Sequence, residues 1–147
     1  MIVRPDGSGS TLGEAIAERV ESFIRTVVVR FEADPRIDSH GPSEELVREL
    51  RSHARDAGVL TPHILKSGAH LTQQDTALVL RKSGLSLLGP VAVNTAAPDE
   101  GNMYLIGKIG TDSQKARFLA PLVAGDARSA LFMTEPAAEG GLDLIRQ

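Results

Sequence analysis

Residues 87–136, LLGPVAVNTAAPDEGNMYLIGKIGTDSQKARFLAPLVAGDARSALFMTEP, decide the fold of this chain. Glycines and helix-capping residues separate the short apolar runs in this stretch. This pattern predicts helices over Asp99–Ile109 and over residues 111–125, the second opening with a capping box. Residues 85–95 are apolar and short, and we predict a buried helix there. Residues 129–134 have no polar helical face and are predicted to form a β-strand, the one strand that the sequence indicates.

The segment before this stretch predicts three further helices. Residues 11–35 carry apolar side chains at spacings of three and four, and Pro35 is expected to end this first helix. The second helix is predicted over residues 43–58, and the third begins at Thr72 and ends near Gly84. Residues 59–70 have no clear period and are predicted to form a loop. The chain is therefore expected to form about six helices followed by one strand.

Composition excludes several kinds of bond, site and partner. The chain has 147 residues, a net charge of −3 and no cysteine, which excludes disulfides, thiolate metal sites and cysteine nucleophiles. Lysine and arginine are scattered, so the sequence predicts no nucleic-acid partner. No apolar run approaches the ~20 residues of a membrane span. The first ten residues lack the apolar core of a signal peptide, so we expect no membrane partner and a cytoplasmic location.

Histidines and paired acidic residues are the candidate groups for metal binding and acid–base chemistry. None of the four histidines has a second ligand type at a ligand-like spacing on one helix face. We therefore interpret them as surface or loop residues and predict no metal site. The acidic pairs lie in the first turns of predicted helices, where they favour the helix dipole and indicate no acid–base role. These residues are His40, His53, His63 and His70, and the pairs Glu44-Glu45 and Asp99-Glu100.

The 87–136 stretch also resembles the acyl-CoA dehydrogenase family. The resemblance rests on Leu88-Gly89-Pro90, Ala97-Pro98-Asp99, Gly101-Asn102-Met103 and the final Met133-Thr134-Glu135-Pro136, in the family's order and spacing. Residues 51–64 resemble the family's second helix and the loop after it. Many matched positions over one long stretch make this signal far more specific than a single short motif.

The resemblance implies both a fold and a cofactor. Members of the family have an N-terminal helical domain, a middle β-barrel and a C-terminal four-helix bundle, and they oxidise the Cα–Cβ bond of acyl-CoA thioesters with FAD. The chain is then mostly α: a flexible N-terminus at residues 1–10, a helical domain like the family's N-terminal domain at 11–126, and the start of the β domain at 127–147. The resemblance places Phe132, Met133 and Thr134 against the flavin ring.

A second implication concerns the substrate. The resemblance places Ala92, Val93, Ala96 and Ala97 where the acyl chain of an acyl-CoA lies. Small side chains at these positions would leave room for a bulky acyl group. Plain packing of small residues in a helix explains the same composition, and the sequence leaves both interpretations open.

The resemblance also implies that this chain alone has no catalytic residue. The family's catalytic glutamate lies in a C-terminal helix, and Leu142 stands where a cofactor-contacting serine is expected. Hence we predict the N-terminal part of an acyl-CoA dehydrogenase-like flavoprotein that is not competent alone and that works as a homo-oligomer or with a longer partner subunit. The alternative is a non-catalytic module that binds an acyl compound or another small molecule, or that serves oligomeric assembly.

Overall fold

The computed structural model of the protein describes residues 11–130, and these residues are mostly helical, as predicted. The α-helices are α1 (Leu12–Thr26), α2 (Glu44–Asp56), α3 (Gln73–Ser83), α4 (Gly89–Ala92), α5 (Asp99–Ile109), α6 (Asp112–Gln114) and α7 (Ala120–Val123). A π-helical turn, Lys115–Leu119, joins α6 to α7. Together these three pieces form the single helix predicted over residues 111–125, so the described part of the chain has the expected six helical units.

Helix α1 begins as predicted but ends earlier. The backbone amide of Glu14 donates to Thr11 Oγ1 at 3.1 Å, and the amide of Thr11 donates to Glu14 Oε2 at 2.7 Å, so the capping box is confirmed. The predicted extension to Pro35 was wrong, because the α-helix ends at Thr26 and a 3₁₀ turn, Val28–Phe31, follows it. Three successive β-branched valines, which lose side-chain freedom in a helix, account for the early end.

A short hairpin between the 3₁₀ turn and α2 was not predicted. Strands β1 (Ile37–Asp38) and β2 (Gly41–Pro42) pair antiparallel. Gly41 has a φ of 109°, a backbone conformation that residues with a Cβ rarely adopt. Strands of two residues show no alternation in hydrophobicity, so no pattern in the sequence indicated them.

The core lies between α1 and α3, and α2 and α4 extend it. Its buried side chains are almost all aliphatic, as the 3% aromatic content requires. Glu21 of α1 and Lys82 of α3 form an ion pair at the edge of this contact. The core residues are Ala17, Val20, Phe23, Ile24, Val28, Leu46, Leu50, Ala54, Val59, Leu71, Val79, Leu88, Ala92 and Val93.

The buried helix predicted over residues 85–95 was largely wrong. Only the single turn α4 is helical, and Leu87, expected to be buried, is 97% exposed. The backbone of Asn94 has a φ of 59°, which ends the helix in the left-handed region. Gly89 passes so close to Ser83 that a Cβ at Gly89 would lie 1.9 Å from the Ser83 carbonyl oxygen. Packing against α3 therefore determines the backbone conformation of this segment more than its own helix propensity does.

Two further predictions concern the loop after α2 and the end of the chain. Residues 59–70 form a loop, as predicted, which is tied by an antiparallel bridge between Ile64 and His70. Of the strand predicted over residues 129–134, the first two residues are not in a strand and the rest lie outside the described residues. No helix among residues 11–130 is long and apolar enough to cross a membrane.

Candidate functional site

Asp99, the first residue of α5, fixes the chain where it leaves the helical domain. Its side chain is buried, with a residue exposure of 4%. Asp99 Oδ1 accepts hydrogen bonds from the backbone amide of Ser129 at 2.6 Å and from the Ser129 hydroxyl at 2.7 Å. The Ser129 hydroxyl in turn accepts from Asn102 Nδ2 at 2.8 Å. Ser129, the residue directly before residues 130–136, is therefore held by three hydrogen bonds to α5.

The buried guanidinium of Arg51 in α2 lies beside this carboxylate. Arg51 Nη2 is 4.0 Å from Asp99 Oδ2, and both side chains are 5% exposed. The other nitrogens of Arg51 donate to backbone carbonyls, Nη1 to Gly125 at 2.8 Å and Nε to Val91 at 3.3 Å. Burial lowers the pKa of Arg51, and the charge of Asp99 opposes that shift. Arg51 thus ties α2 to α4 and to the end of α7.

A second polar pair, Thr61 and Asn94, supports the same region. Both residues have left-handed backbones, with φ of 49° and 59°. Asn94 Nδ2 donates to Thr61 Oγ1 and to the Leu122 carbonyl, both at 2.8 Å, and Thr61 Oγ1 donates to the Val123 carbonyl at 2.7 Å. These bonds join the loop after α2, the end of α4 and α7. Buried polar groups with defined partners specify one arrangement of the helices.

Two cavities of different character flank residues 127–129. One is mostly apolar, measures about 270 Å³ and contains Ile106, Phe118 and Leu122 in its wall together with Ser129. The other is a wider cleft of about 640 Å³. Its wall contains four arginines and two acidic residues, which are Arg48, Arg51, Arg55, Arg128, Glu44 and Asp126. Arg51, Arg55 and Arg128 are paired with Asp99, Asp126 and Glu44, so a phosphate in this cleft would compete with these carboxylates. The apolar cavity suits a flat or aliphatic part of a ligand.

The predicted site residues fall in three different environments. Ala92 and Val93 are fully buried members of the core, Ala96 is partly buried and Ala97 is exposed. Only Ala96 and Ala97 are therefore accessible to an acyl chain in this arrangement, and the substrate role of all four stays a prediction. The predicted flavin-contacting residues, Phe132, Met133 and Thr134, lie outside the described residues.

Sequence reasoning missed the residues that organise this region. Asp99 was interpreted only as a first-turn carboxylate that favours the helix dipole, but the structure buries it and pairs it with Ser129. Ser129 follows Asp99 by thirty positions, a separation to which no helix or strand period applies. His63 was interpreted as a surface or loop residue, and it does lie in the loop but is 0% exposed. No sequence signal distinguished it from the exposed His40.

Comparison with known proteins decides the family. The family model for the acyl-CoA dehydrogenase N-terminal domain matches residues 12–126. The chain belongs to the acyl-CoA dehydrogenase family. This result confirms the resemblance seen in residues 87–136 and the helical fold expected from it. The match ends three residues before Ser129, so the network of Asp99 lies at the boundary of the N-terminal acyl-CoA dehydrogenase domain.

Individual relatives in the acyl-CoA dehydrogenase family agree with this assignment. The Mycobacterium tuberculosis protein named Probable acyl-CoA dehydrogenase FadE2 is 37% identical over 128 residues, which cover 81% of this chain and 31% of the relative. Acyl-CoA dehydrogenase family member 10 of Mus musculus is 31% identical over 149 residues, which cover 92% of this chain and 14% of the relative. A solved structure of a candidate acyl-CoA dehydrogenase from Mycobacterium abscessus superposes with a TM-score of 0.68 at 28% identity, covering 88% of this chain and 35% of that one. The chain thus spans less than a third of the length of these curated relatives.

Proposed function

We propose that this chain is the N-terminal helical part of an FAD-dependent acyl-CoA dehydrogenase, which oxidises the Cα–Cβ bond of an acyl-CoA thioester. The observation that carries the proposal is the match of residues 12–126 to the acyl-CoA dehydrogenase N-terminal domain, and it is supported by the double hydrogen bond from Ser129 to the buried carboxylate of Asp99. These two hydrogen bonds fix the chain directly before residues 132–134, which are expected to contact the flavin. A helical domain that anchors this segment supplies one wall of a flavin site.

The described residues fit FAD in kind but not in extent. The apolar cavity beside Ser129 suits the edge of a flat ring or an aliphatic chain, and the arginines of the neighbouring cleft would hold a phosphate in exchange for their carboxylate partners. The volume of about 270 Å³ lies just below the 300–1,000 Å³ typical of ligand pockets, so it suits only part of a dinucleotide. The remainder of the site would come from Phe132, Met133 and Thr134 and from parts that this domain does not supply.

Each part of this chain would have a defined task in the reaction. FAD, when bound, accepts the hydride that leaves the β carbon of the acyl group. Residues 132–134 would hold the ring, and the hydroxyl of Thr134 would donate a hydrogen bond that steadies negative charge there. Asp99 and Ser129 would restrain the approach of this segment, while the small side chains of Ala96 and Ala97 would leave space for the acyl chain.

We infer that the chain does not catalyse the dehydrogenation alone. The family's catalytic glutamate is expected in a C-terminal helix, and the chain corresponds to less than a third of the relatives that it matches. The base would then come from outside these residues, in a homo-oligomer or from a longer partner subunit. Removal of the α proton needs a positioned base of suitable pKa, and no residue of this domain is proposed for that role.

The test is a visible absorption spectrum of the purified chain after FAD has been added and the unbound cofactor removed. Partial retention of flavin is the expected result, because the described residues supply only part of the site, together with no turnover of acyl-CoA in the presence of an artificial electron acceptor. A chain carrying Asp99→Asn should retain less flavin than a chain carrying Asp112→Asn, an exposed control. Turnover by the chain alone would contradict the inference about the base. Equal retention of flavin by the two variants would show that Asp99 does not anchor the segment expected to contact the flavin.

An assembly role is the second candidate, and exposed apolar residues favour it. Leu105, Ile109 and Phe118 are 52%, 72% and 47% exposed and line one groove of about 280 Å³ between α5 and the π-helical turn. Contiguous apolar surface of this kind is typical of contact regions. If assembly is the function, the chain should form a stable oligomer that Ile109→Lys dissociates. A parent chain that is already a monomer by light scattering would contradict it.

A further inference from the structure

Three side chains from separate parts of the chain meet between the loop after α2 and helix α5. They are His63 and His70 of the loop and Glu100 in the first turn of α5. One potential ligand atom from each lies within 4.8 Å of the other two. The two imidazole rings have centroids 5.3 Å apart at an angle of 60°. No sequence pattern indicates this cluster, because the spacing of its members matches no helix face.

His63 is buried with its polar atoms unpaired. Its exposure is 0%, and within residues 11–130 neither of its ring nitrogens has a hydrogen-bond partner. Burial, with a smaller effect from His70, lowers the pKa of His63 to about 4, so the ring is neutral near pH 7. A neutral imidazole is the form that binds a metal ion. An unpaired polar group at such depth costs free energy unless something else satisfies it.

The orientation of His70 also suits a metal ligand. His70 Nδ1 lies 2.8 Å from the carbonyl oxygen of Leu71, and because a carbonyl can only accept, Nδ1 must carry the proton. In the neutral ring the lone pair is then on Nε2, which lies 3.6 Å from Glu100 Oε1. Two acceptors facing each other need either a proton or a metal ion between them. Metal-binding histidines commonly donate their other nitrogen to a backbone carbonyl in this way.

We propose that His63, His70 and Glu100 form a binding site for a divalent transition-metal ion, with Zn²⁺ as the best match. Two imidazoles and one carboxylate are an established zinc ligand set that leaves a fourth position open. Bonds of about 2.0–2.2 Å place tetrahedral ligands roughly 3.3 Å apart. Small side-chain rotations would bring the three atoms from within 4.8 Å to that separation. Ca²⁺ and Mg²⁺ prefer oxygen ligands, so a site with two imidazole nitrogens favours Zn²⁺ over them.

The surroundings provide both rigidity and access. The loop is closed by the Ile64–His70 bridge and by the hydrogen bond from the Leu71 amide to the His63 carbonyl at 2.9 Å. A cavity of about 300 Å³, lined by His70 together with Met103 and Tyr104 of α5, adjoins the cluster. His70 is the member of the cluster that lines this cavity, and Lys108 lies in the same wall. The bound ion would tie the loop to α5, independently of the proposed function in flavin binding.

The experiment is a calorimetric titration of the full chain, stripped of metal with a chelator, with Zn²⁺. A single Zn²⁺ ion per chain and a raised melting temperature are expected. Glu100→Gln and His70→Gln should each weaken binding by more than about tenfold, since loss of even a supporting residue costs that much. Substitution with Co²⁺ should give visible absorption bands in the unmodified chain that both variants lose.

Matched controls separate this site from ordinary histidine binding. His53 lies 4.0 Å from Glu49, which is four positions before it on the exposed surface of α2, a spacing that the sequence interpretation overlooked. His53→Gln therefore removes a comparable His–Glu pair and should leave binding unchanged. His63→Gln should abolish binding, provided that circular dichroism shows it folded; the other two variants decide the question if it does not fold. No binding of Zn²⁺, or equal binding by the parent chain, Glu100→Gln and His70→Gln, would overturn the proposal. In that case the pair of His70 and Glu100 would be an ion pair with a protonated ring.

Discussion

Asp99 Oδ1 receives two hydrogen bonds from Ser129, one from the backbone amide at 2.6 Å and one from the hydroxyl at 2.7 Å. The first residue of α5 therefore holds the chain at the end of the helical domain. Because Arg51 lies 4.0 Å from the other carboxylate oxygen, the same group also neutralises a buried cation. Loss of Asp99 should affect both the packing of α2 against α5 and the path of the chain after residue 129.

The first prediction is that Asp99→Asn destabilises the domain by about 2–4 kcal/mol. The substitution removes charge-assisted hydrogen bonds and leaves Arg51 without a counter-charge in a buried position. Urea unfolding followed by circular dichroism measures the loss. Asp112→Asn, in the exposed first turn of α6, should cost less than about 1 kcal/mol, since it weakens only a helix-dipole interaction. Equal losses for the two variants would show that the Asp99 network adds nothing beyond the dipole.

The second prediction concerns the left-handed backbone of Asn94. Asn94→Ala should cost about 3 kcal/mol, because two buried hydrogen bonds to Thr61 and Leu122 are lost and alanine is strained at a φ of 59°. Asn94→Gly loses the same bonds but tolerates the conformation, so its loss should be smaller by about 1 kcal/mol. Thermal unfolding of both variants gives the comparison. Greater stability of the alanine variant would mean that residue 94 is not left-handed in solution.

The sequence predicted the long amphipathic elements of this domain correctly. Helices α1, α2 and α3 begin with side-chain caps at Thr11, Ser43 and Thr72. Such caps, and the apolar stripes that follow them, act over one or two turns and are visible in sequence. The errors occurred at residues 27–35, where three β-branched valines end the helix early, at the hairpin of residues 37–42, and at residues 85–95, where tertiary contacts decide the backbone. The close approach of Gly89 to Ser83 is an example of such a contact. The family resemblance identified the fold because it uses many positions at once and does not depend on any single propensity.

The candidate site was predictable only in part. The resemblance pointed to residues 92–97 and 132–134 through motif positions. It marked Asp99 as a motif position without indicating Ser129 as its partner, and it held no information on the proximity of His63 and Glu100, because each pair joins segments far apart in sequence. Whether a polar residue is buried and paired depends on what folds against it, and the pattern around the residue does not contain that information.

The third prediction concerns the pH dependence of the turn before β1. Hydrogen bonds from Arg36, with a smaller Coulombic effect, lower the pKa of Asp34 from 3.8 to about 2. Because the folded-state pKa is below the unfolded value, this pair stabilises the fold above about pH 4. Its contribution is lost progressively as the pH falls from about 4 through about 2. Carbon-13 NMR of the carboxyl group should show a midpoint near 2.

Two variants test the cause of that shift. Arg36→Gln should raise the midpoint of Asp34 towards its ordinary value, since the hydrogen bonds at 2.8 and 2.9 Å are removed. Glu45→Gln is the control, because Glu45 is 75% exposed and lies 3.7 Å from Arg36 without contacting Asp34. The control should leave the midpoint unchanged. If Arg36→Gln left the midpoint of Asp34 unchanged, the low pKa of Asp34 would have another cause.

The last prediction compares two glycines that belong to the family motif. A Cβ at Gly89 would lie 1.9 Å from the carbonyl oxygen of Ser83 and 3.0 Å from its carbon, so backbone atoms must move to admit it. Gly89→Ala should therefore cost about 3 kcal/mol or more. A Cβ at Gly101, in α5, would meet no atom of residues 11–130 within 4 Å. Gly101→Ala should stabilise the domain by about 0.5–1 kcal/mol, since alanine favours the helix and restricts the unfolded chain.

Urea midpoints of the two alanine variants, measured against the parent chain, decide this prediction by their sign. A single substitution type at two motif glycines removes differences in side-chain chemistry, so opposite shifts would reflect the different space and helical context of the two positions. If both variants were stabilised, α4 would not contact Ser83, and the short helix would owe its place to the hydrogen bonds of Arg51 and Asn94 instead. If both were destabilised, Gly101 would face a neighbour that lies outside residues 11–130, which would locate a contact surface on the exposed side of α5.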